Sequence, residues 1–236
     1  MRKTILLIIL LAGLIAVAAP VEASLTFNYD TEYSGGSAPA SQTTPWLSAE
    51  FSNAKKENIV MLTLTAEHLT SSEFVSQWYF NLDPLFGDLI PSTSKPGSIK
   101  IEYVGGTEYP STKIDKNEFK AGNNGYFDIR ISFSTDSKKH FGEGDTATFK
   151  ITFDPGSSDL TLDADSFSFV SEGKGKTGGG LYTAAHVQGI DGKYSGWVSG
   201  DPTSSLVPAM VPIPGAVWLL GSGLLGLLGF RRRQKK

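Results

Sequence analysis

The chain has 236 residues, no cysteine and a formal net charge of −3. Its two ends hold seven of the 21 Lys and Arg but only one of the 24 acids, so the part between them carries 14 cations against 23 anions, a net of −9. That balance excludes a nucleic-acid binder, which needs a basic face, and the missing thiols exclude disulfides, thiolate catalysis and Cys-based metal sites.

Taken in chain order, Arg2 and Lys3 precede an apolar run from Ile5 to Ala19, and Pro20 breaks it before Val21-Glu22-Ala23. This is the order of a secretory signal peptide over residues 1–23, with cleavage between Ala23 and Ser24. An uncleaved N-terminal anchor is the alternative. Residues 24–198 then read as one body. Leu25 to Tyr29 is expected as an edge or terminal strand, and Thr31 to Pro45, rich in Ser, Gly, Ala, Thr and Pro, as poorly ordered. Asn58 to Ala66 predicts a strand with Val60, Leu62 and Leu64 on the core face. Glu73 to Leu82 predicts another, with Phe74, Trp78, Phe80 and Leu82 inward, and Ile99 to Val104 a further one. In Tyr126 to Phe133 the residues Phe127, Ile129, Ile131 and Phe133 alternate with Asp128, Arg130 and Ser132. Thr146 to Phe153 alternates in the same way, with Ala147, Phe149, Ile151 and Phe153 inward. Ser166 to Val170 is expected as a strand, Gly173 to Gly180 as a loop, and Leu181 to Val187 as a second edge or terminal strand. Residues 199–210 read as a linker.

Period-two alternation marks half-buried antiparallel strands, and Gly, Pro, Asn and Asp clusters separate them. The expected fold class is all-β: a single antiparallel β-sandwich or jelly-roll-like domain, in which apolar strand faces hide against one another.

Residues 211–236 have their own organisation. Val211, Pro212, Ile213 and Pro214 lead into 16 residues without charge, Gly215 to Phe230, and Arg231, Arg232 and Arg233 open a tail with five cations in its last six residues. The apolar run is just below the ~17–25 residues that cross a bilayer comfortably, and the basic end favours the cytoplasmic side. The prolines hold the backbone extended in front of the span. This order of motif, short span and basic end resembles the PEP-CTERM type of bacterial sorting signal, in the variant where Val-Pro-x-Pro replaces Pro-Glu-Pro. The resemblance implies export, transient residence in the inner membrane with the C-terminus cytoplasmic, and cleavage near Val211–Pro214 by an exosortase-like transpeptidase. Delivery to the cell surface or an extracellular matrix, in company with exopolysaccharide, would follow. A plain stop-transfer anchor is the alternative.

Candidate chemistry is sparse. His68 and His140 read as solvated. His186, in Ala-Ala-His-Val-Gln-Gly, followed by Ser-Gly-Trp at 195–197, resembles a segment that recurs in exported proteins with this kind of C-terminal signal. It is either a ligand site or a structural pairing, with Trp197 as a core plug. There is no His-Glu-x-x-His and no Gly-x-Ser-x-Gly, and no carboxylate pair stands out for glycoside hydrolysis. No cofactor is expected, although Asp154, Asp159, Asp163 and Asp165 could converge on calcium. Three functions therefore compete. The first is a non-catalytic surface or matrix protein. The second is a carbohydrate-binding module that stacks Trp46, Tyr79, Tyr103, Tyr109 or Trp197 on sugar rings. The third is an exported glycan-acting enzyme.

Overall fold

Alternating apolar and polar residues can bury one face only if the strands carrying them close around a shared interior, and that is what this sequence does. In a computed structural model, residues 23–90, 98–136, 138–156, 158–173 and 180–205 are described. The expected signal peptide before Ala23, Val211–Pro214, the apolar span and Arg231–Arg233 lie outside them, as does most of the Gly173–Gly180 loop.

Eleven strands occur among the described residues: β1 Ser24–Glu32, β2 Leu47–Asn53, β3 Ile59–Ala66, β4 Phe74–Phe80, β5 Ile99–Gly106, β6 Ser111–Lys120, β7 Tyr126–Ser132, β8 Phe141–Gly142, β9 Thr146–Phe153, β10 Thr183–Ile190 and β11 Tyr194–Ser205. Two short 3-10 helices, Pro84–Leu89 and Ala164–Phe167, complete the elements. All strand pairs are antiparallel, in one sheet of order β5-β9-β3-β2-β1-β11-β10-β4-β7-β6, with β8 added to β4. The end strands β5 and β6 approach within 8 Å (Cα–Cα) without forming a ladder. The all-β antiparallel expectation is met, and the faces of the expected sandwich belong to one continuous sheet, curled until it is nearly a closed barrel.

The inner face holds Phe27, Tyr29, Phe51, Leu62, Leu64, Trp78, Phe80, Ile129, Ile131, Phe149, Ile151, Val187 and Val198, all buried. Each such side chain contributes roughly 1.5–3 kcal/mol. Aromatic rings meet edge-on across strands, as in Tyr29–Trp78 (5.1 Å, 84°) and Phe51–Phe80 (5.2 Å, 85°), the favoured geometry for ring quadrupoles.

Several expectations are corrected. β1 and β10 are not edges: β1 lies between β2 and β11, and β10 between β11 and β4. Position near a chain end does not make an edge when the first and last strands pair with each other, here with Ser24 opposite Ser205. Ser199–Ser205, expected as linker, forms the end of β11, so the body extends past 198; opposite it, Leu25 and Phe27 need cover. Ser166–Val170 is not a strand, because Asp163 caps the Ala164–Phe167 helix and its side chain accepts the Ser166 N–H at 3.0 Å. Local capping outcompetes extension there, and Phe167 stacks on Phe51 at 4.2 Å. In β4 the register slips at Ser76, where His186 pairs with Gln77 but Val187 with Val75. This bulge turns Val75 into the core, and Phe74 instead stacks on His140 at 4.7 Å.

Thr31 to Pro45 is held by specific contacts. The Glu32 carboxylate accepts the N–H groups of Ser34, Gly35 and Gly36 (2.8, 3.1 and 3.2 Å) and the Ser34 hydroxyl. Burial pushes that carboxyl up, but these donors outweigh it and hold it below the usual range.

Candidate functional site

Alternation on β10 sends Ala185 and Val187 inward and leaves Ala184, His186 and Gln188 on the outer face. His186 stands opposite Gln77 of β4 and Trp197 of β11. Its ring stacks on the Trp197 indole at 4.5 Å and 18°. Its Nδ1 lies 3.1 Å from the Ser76 Oγ, to which the Gln188 Nε2 donates at 2.9 Å. The same hydroxyl donates to the His186 carbonyl oxygen at 3.3 Å. Burial pushes the imidazole below its ordinary value, in keeping with a neutral ring.

The outer face continues as a second, smaller apolar cluster of Tyr79, Phe119, Ala121, Phe127 and Ala184, with Tyr33, Leu181 and Trp197 packed on it. Trp197 is therefore no plug of the main core; it lies outside the sheet, 5.5 Å from Tyr79. The Tyr79 hydroxyl donates to the Gln77 Oε1 at 2.8 Å, and the Arg130 guanidinium sits 4.9 Å over the Phe119 ring. Gly122 reaches this surface with φ +57, and a Cβ there would meet the Trp197 indole at 3.4 Å.

Chemically, this arrangement clamps three strands. Ser76 is buried, at 4% exposure, and its hydroxyl is shared between Gln188 and His186. The groups bonded to the imidazole are Ser76 and Gln188, and neither is a carboxylate that would orient it as a base. His186 and Trp197 stack on each other on the outer face, and the imidazole has one partner on β4, Ser76, and one in the last hairpin, Gln188.

Other expected site residues are dispersed. His68 Nδ1 lies 2.8 Å from the Pro45 carbonyl. The Asp154 carboxylate takes the Gly156 N–H and that of Asp163 caps a helix, and no group of three or more His, Asp or Glu is placed to hold a metal among the described residues. Among the aromatics, Trp46 and Tyr79 are buried, Tyr103 and Trp197 are half-buried, and Tyr109 is 81% exposed. Stacking on sugar is thus closed to Trp46 and Tyr79.

Two buried carboxylates escaped the sequence reading. Glu73 accepts the N–H groups of Ala40 and Thr70, both at 2.7 Å. Asp128, expected on the side of its strand opposite Ile129 and Ile131, accepts those of Leu82 (2.9 Å) and Asn117 (2.8 Å). Burial pushes the Asp128 carboxyl up, against the two N–H donors; Glu172 adds to the rise and Lys116 opposes it. A lone acid between Phe127 and Ile129 was the signal available, but its role depends on Leu82 and Asn117 from other elements.

Comparison of the chain with family models, with curated proteins and with solved structures gives no match.

Proposed function

We propose that this is an exported surface or matrix protein whose barrel is a non-catalytic structural module, sorted through residues 211–236 by an exosortase-like enzyme and associated with exopolysaccharide. The observation that carries this reading is the unbroken order of Val211-Pro212-Ile213-Pro214, 16 uncharged residues and a tail beginning Arg231-Arg232-Arg233. In this reading residues 1–23 start export, and the short span holds the chain in the inner membrane until cleavage. The limits of the barrel agree with removal of both ends. β1 begins at Ser24, the first residue after the expected cleavage, and pairs there with Ser205 of β11, so processing at either place takes away none of the described strands. The use of Glu73, Asp128 and Asp163 as backbone staples suits a body whose task is to hold its shape.

Mass spectrometry of the surface form tests this. The expected protein starts at Ser24 and yields no peptide beyond about Gly215, as residues 211–214 are the proposed cleavage region. Recovery of Arg231–Arg233 in the surface form would overturn it. Replacing Pro212 and Pro214 with Ala should trap the chain in the membrane. A second reading, glycan binding, rests on Tyr109, which projects from the β5–β6 connection with its ring 5.1 Å from that of Tyr103. It predicts retention on a polysaccharide column that Tyr109→Ala abolishes.

A further inference from the structure

The near-closure of the barrel leaves a seam. Among the described residues β5 pairs only with β9 and β6 only with β7, so each presents an edge without a ladder toward the other. Both edges are regular over one short stretch. β5 has a register break after Tyr103, and β6 after Ile114. Between the regular parts lies a groove of about 450 Å³, lined by Ile99–Glu102 on one side and Thr112–Ile114 on the other. Ile101 and Ile114 are its floor and pack on the main core. Lys100, Glu102 and Lys113 are exposed along its rim. Glu102 is paired with Lys150 at 2.7 Å, and this is the one ion pair recorded among the described residues. The rim is therefore basic on a body that is acidic.

We propose that this seam is a strand-acceptor site that takes a short, extended, acidic segment of another polypeptide. A sheet edge offers backbone N–H and C=O groups at the strand repeat, and an extended peptide lying along the groove is the ligand that pairs with such an edge. At about 3.3 Å per residue, the stretches 99–102 and 112–114 accommodate three to four residues of such a strand. Period two then sets its sequence. Inward positions lie over Ile101 and Ile114 and take small aliphatic side chains. Outward positions lie between Lys100 and Lys113 and take Asp or Glu. The two register breaks limit the site to this length and stop the edges from templating an open-ended sheet.

The test uses the full chain in detergent micelles, followed by hydrogen exchange of the 99–102 and 112–114 amides. The probes are a short peptide alternating Glu and Val, its Lys–Val counterpart, and a uronate oligosaccharide. Free protein should show fast exchange at the seam-facing amides. The Glu peptide should slow them and bind roughly five- to tenfold more tightly than the Lys peptide, as expected for two exposed ion pairs. The Lys100→Glu/Lys113→Glu variant, changed only at the surface, should reverse that preference. The proposal is overturned if these amides are already protected in the free protein, which would mean the chain fills its own seam. It is equally overturned if neither peptide slows exchange, if the two peptides bind alike, or if only the oligosaccharide protects.

Discussion

At the scale of single residues, the body uses its buried polar groups to hold backbone. Glu73 is 1% exposed and satisfies two amide protons from separate loops. Glu73→Ala would leave both amides without a partner in the interior, and a loss of about 1–3 kcal/mol is expected in urea titrations. Asp128 makes a pH signature. Its folded carboxyl lies above the ordinary carboxylate range, so the folded state binds this proton more tightly than the unfolded chain. Its contribution to stability therefore improves as pH falls from above the raised value toward the ordinary one, and Asp128→Asn should remove that component of the pH dependence. His186 has the opposite sign. Its folded value is depressed by burial, so its contribution is complete above the ordinary His value and is lost as pH falls toward the folded one. Between those two values, wild type should lose more stability with acid than His186→Gln, as read from denaturation midpoints.

At the scale of elements, the departures from simple alternation decide the packing. The β4 bulge at Ser76 brings the hydroxyl under His186, and a second bulge on β10, between Gln188 and Ile190, is formed by Gly189 with φ +76. A Cβ at Gly189 would lie 2.0 Å from the Ser72 carbonyl oxygen, so Gly189→Ala forces backbone to move. It should destabilise by more than the ~1 kcal/mol typical of conformational cost alone. The Ala164–Phe167 helix contributes through Phe167, which is 1% exposed against Phe51. Phe167→Ala should cost about 3–5 kcal/mol, measured by thermal or urea unfolding. β11 explains why a strand can look like a linker. Gly200-Asp201-Pro202-Thr203 carries turn residues, yet Pro202 stands opposite Phe27 in a central strand. Its place there comes from β1, whose apolar face must be covered, and not from any strand preference of its own.

At the scale of the whole molecule, one sheet encloses one main core without disulfides, and the recorded ion pair is between side chains 39% and 70% exposed. Stability therefore rests on burial, and a surface pair of that kind adds at most about 1 kcal/mol. Raising salt should leave the unfolding midpoint of the barrel unchanged or higher, since screening relieves the repulsion of an acidic body. A fall in the midpoint would show that ion pairs carry more of the fold than burial does.

What the sequence by itself determined is whatever depends on near neighbours. The alternation of Ile129-Arg130-Ile131 and of Ala147-Thr148-Phe149-Lys150-Ile151 made those strands readable, because period two is a property of the local backbone, whereas Phe127, expected on the face of Ile129, packs with Tyr79 in the second cluster. The order of charge and apolarity at the two ends likewise gave the expectation of export and sorting without any fold. Tertiary structure alone decided that β1 and β11 pair, that Asp128 and Glu73 are interior, that His186 meets Ser76 across 110 positions, and that β5 and β6 are left as the edges. Each of these depends on which distant segment arrives alongside, and that is settled by closing a common core rather than by any residue's own preference.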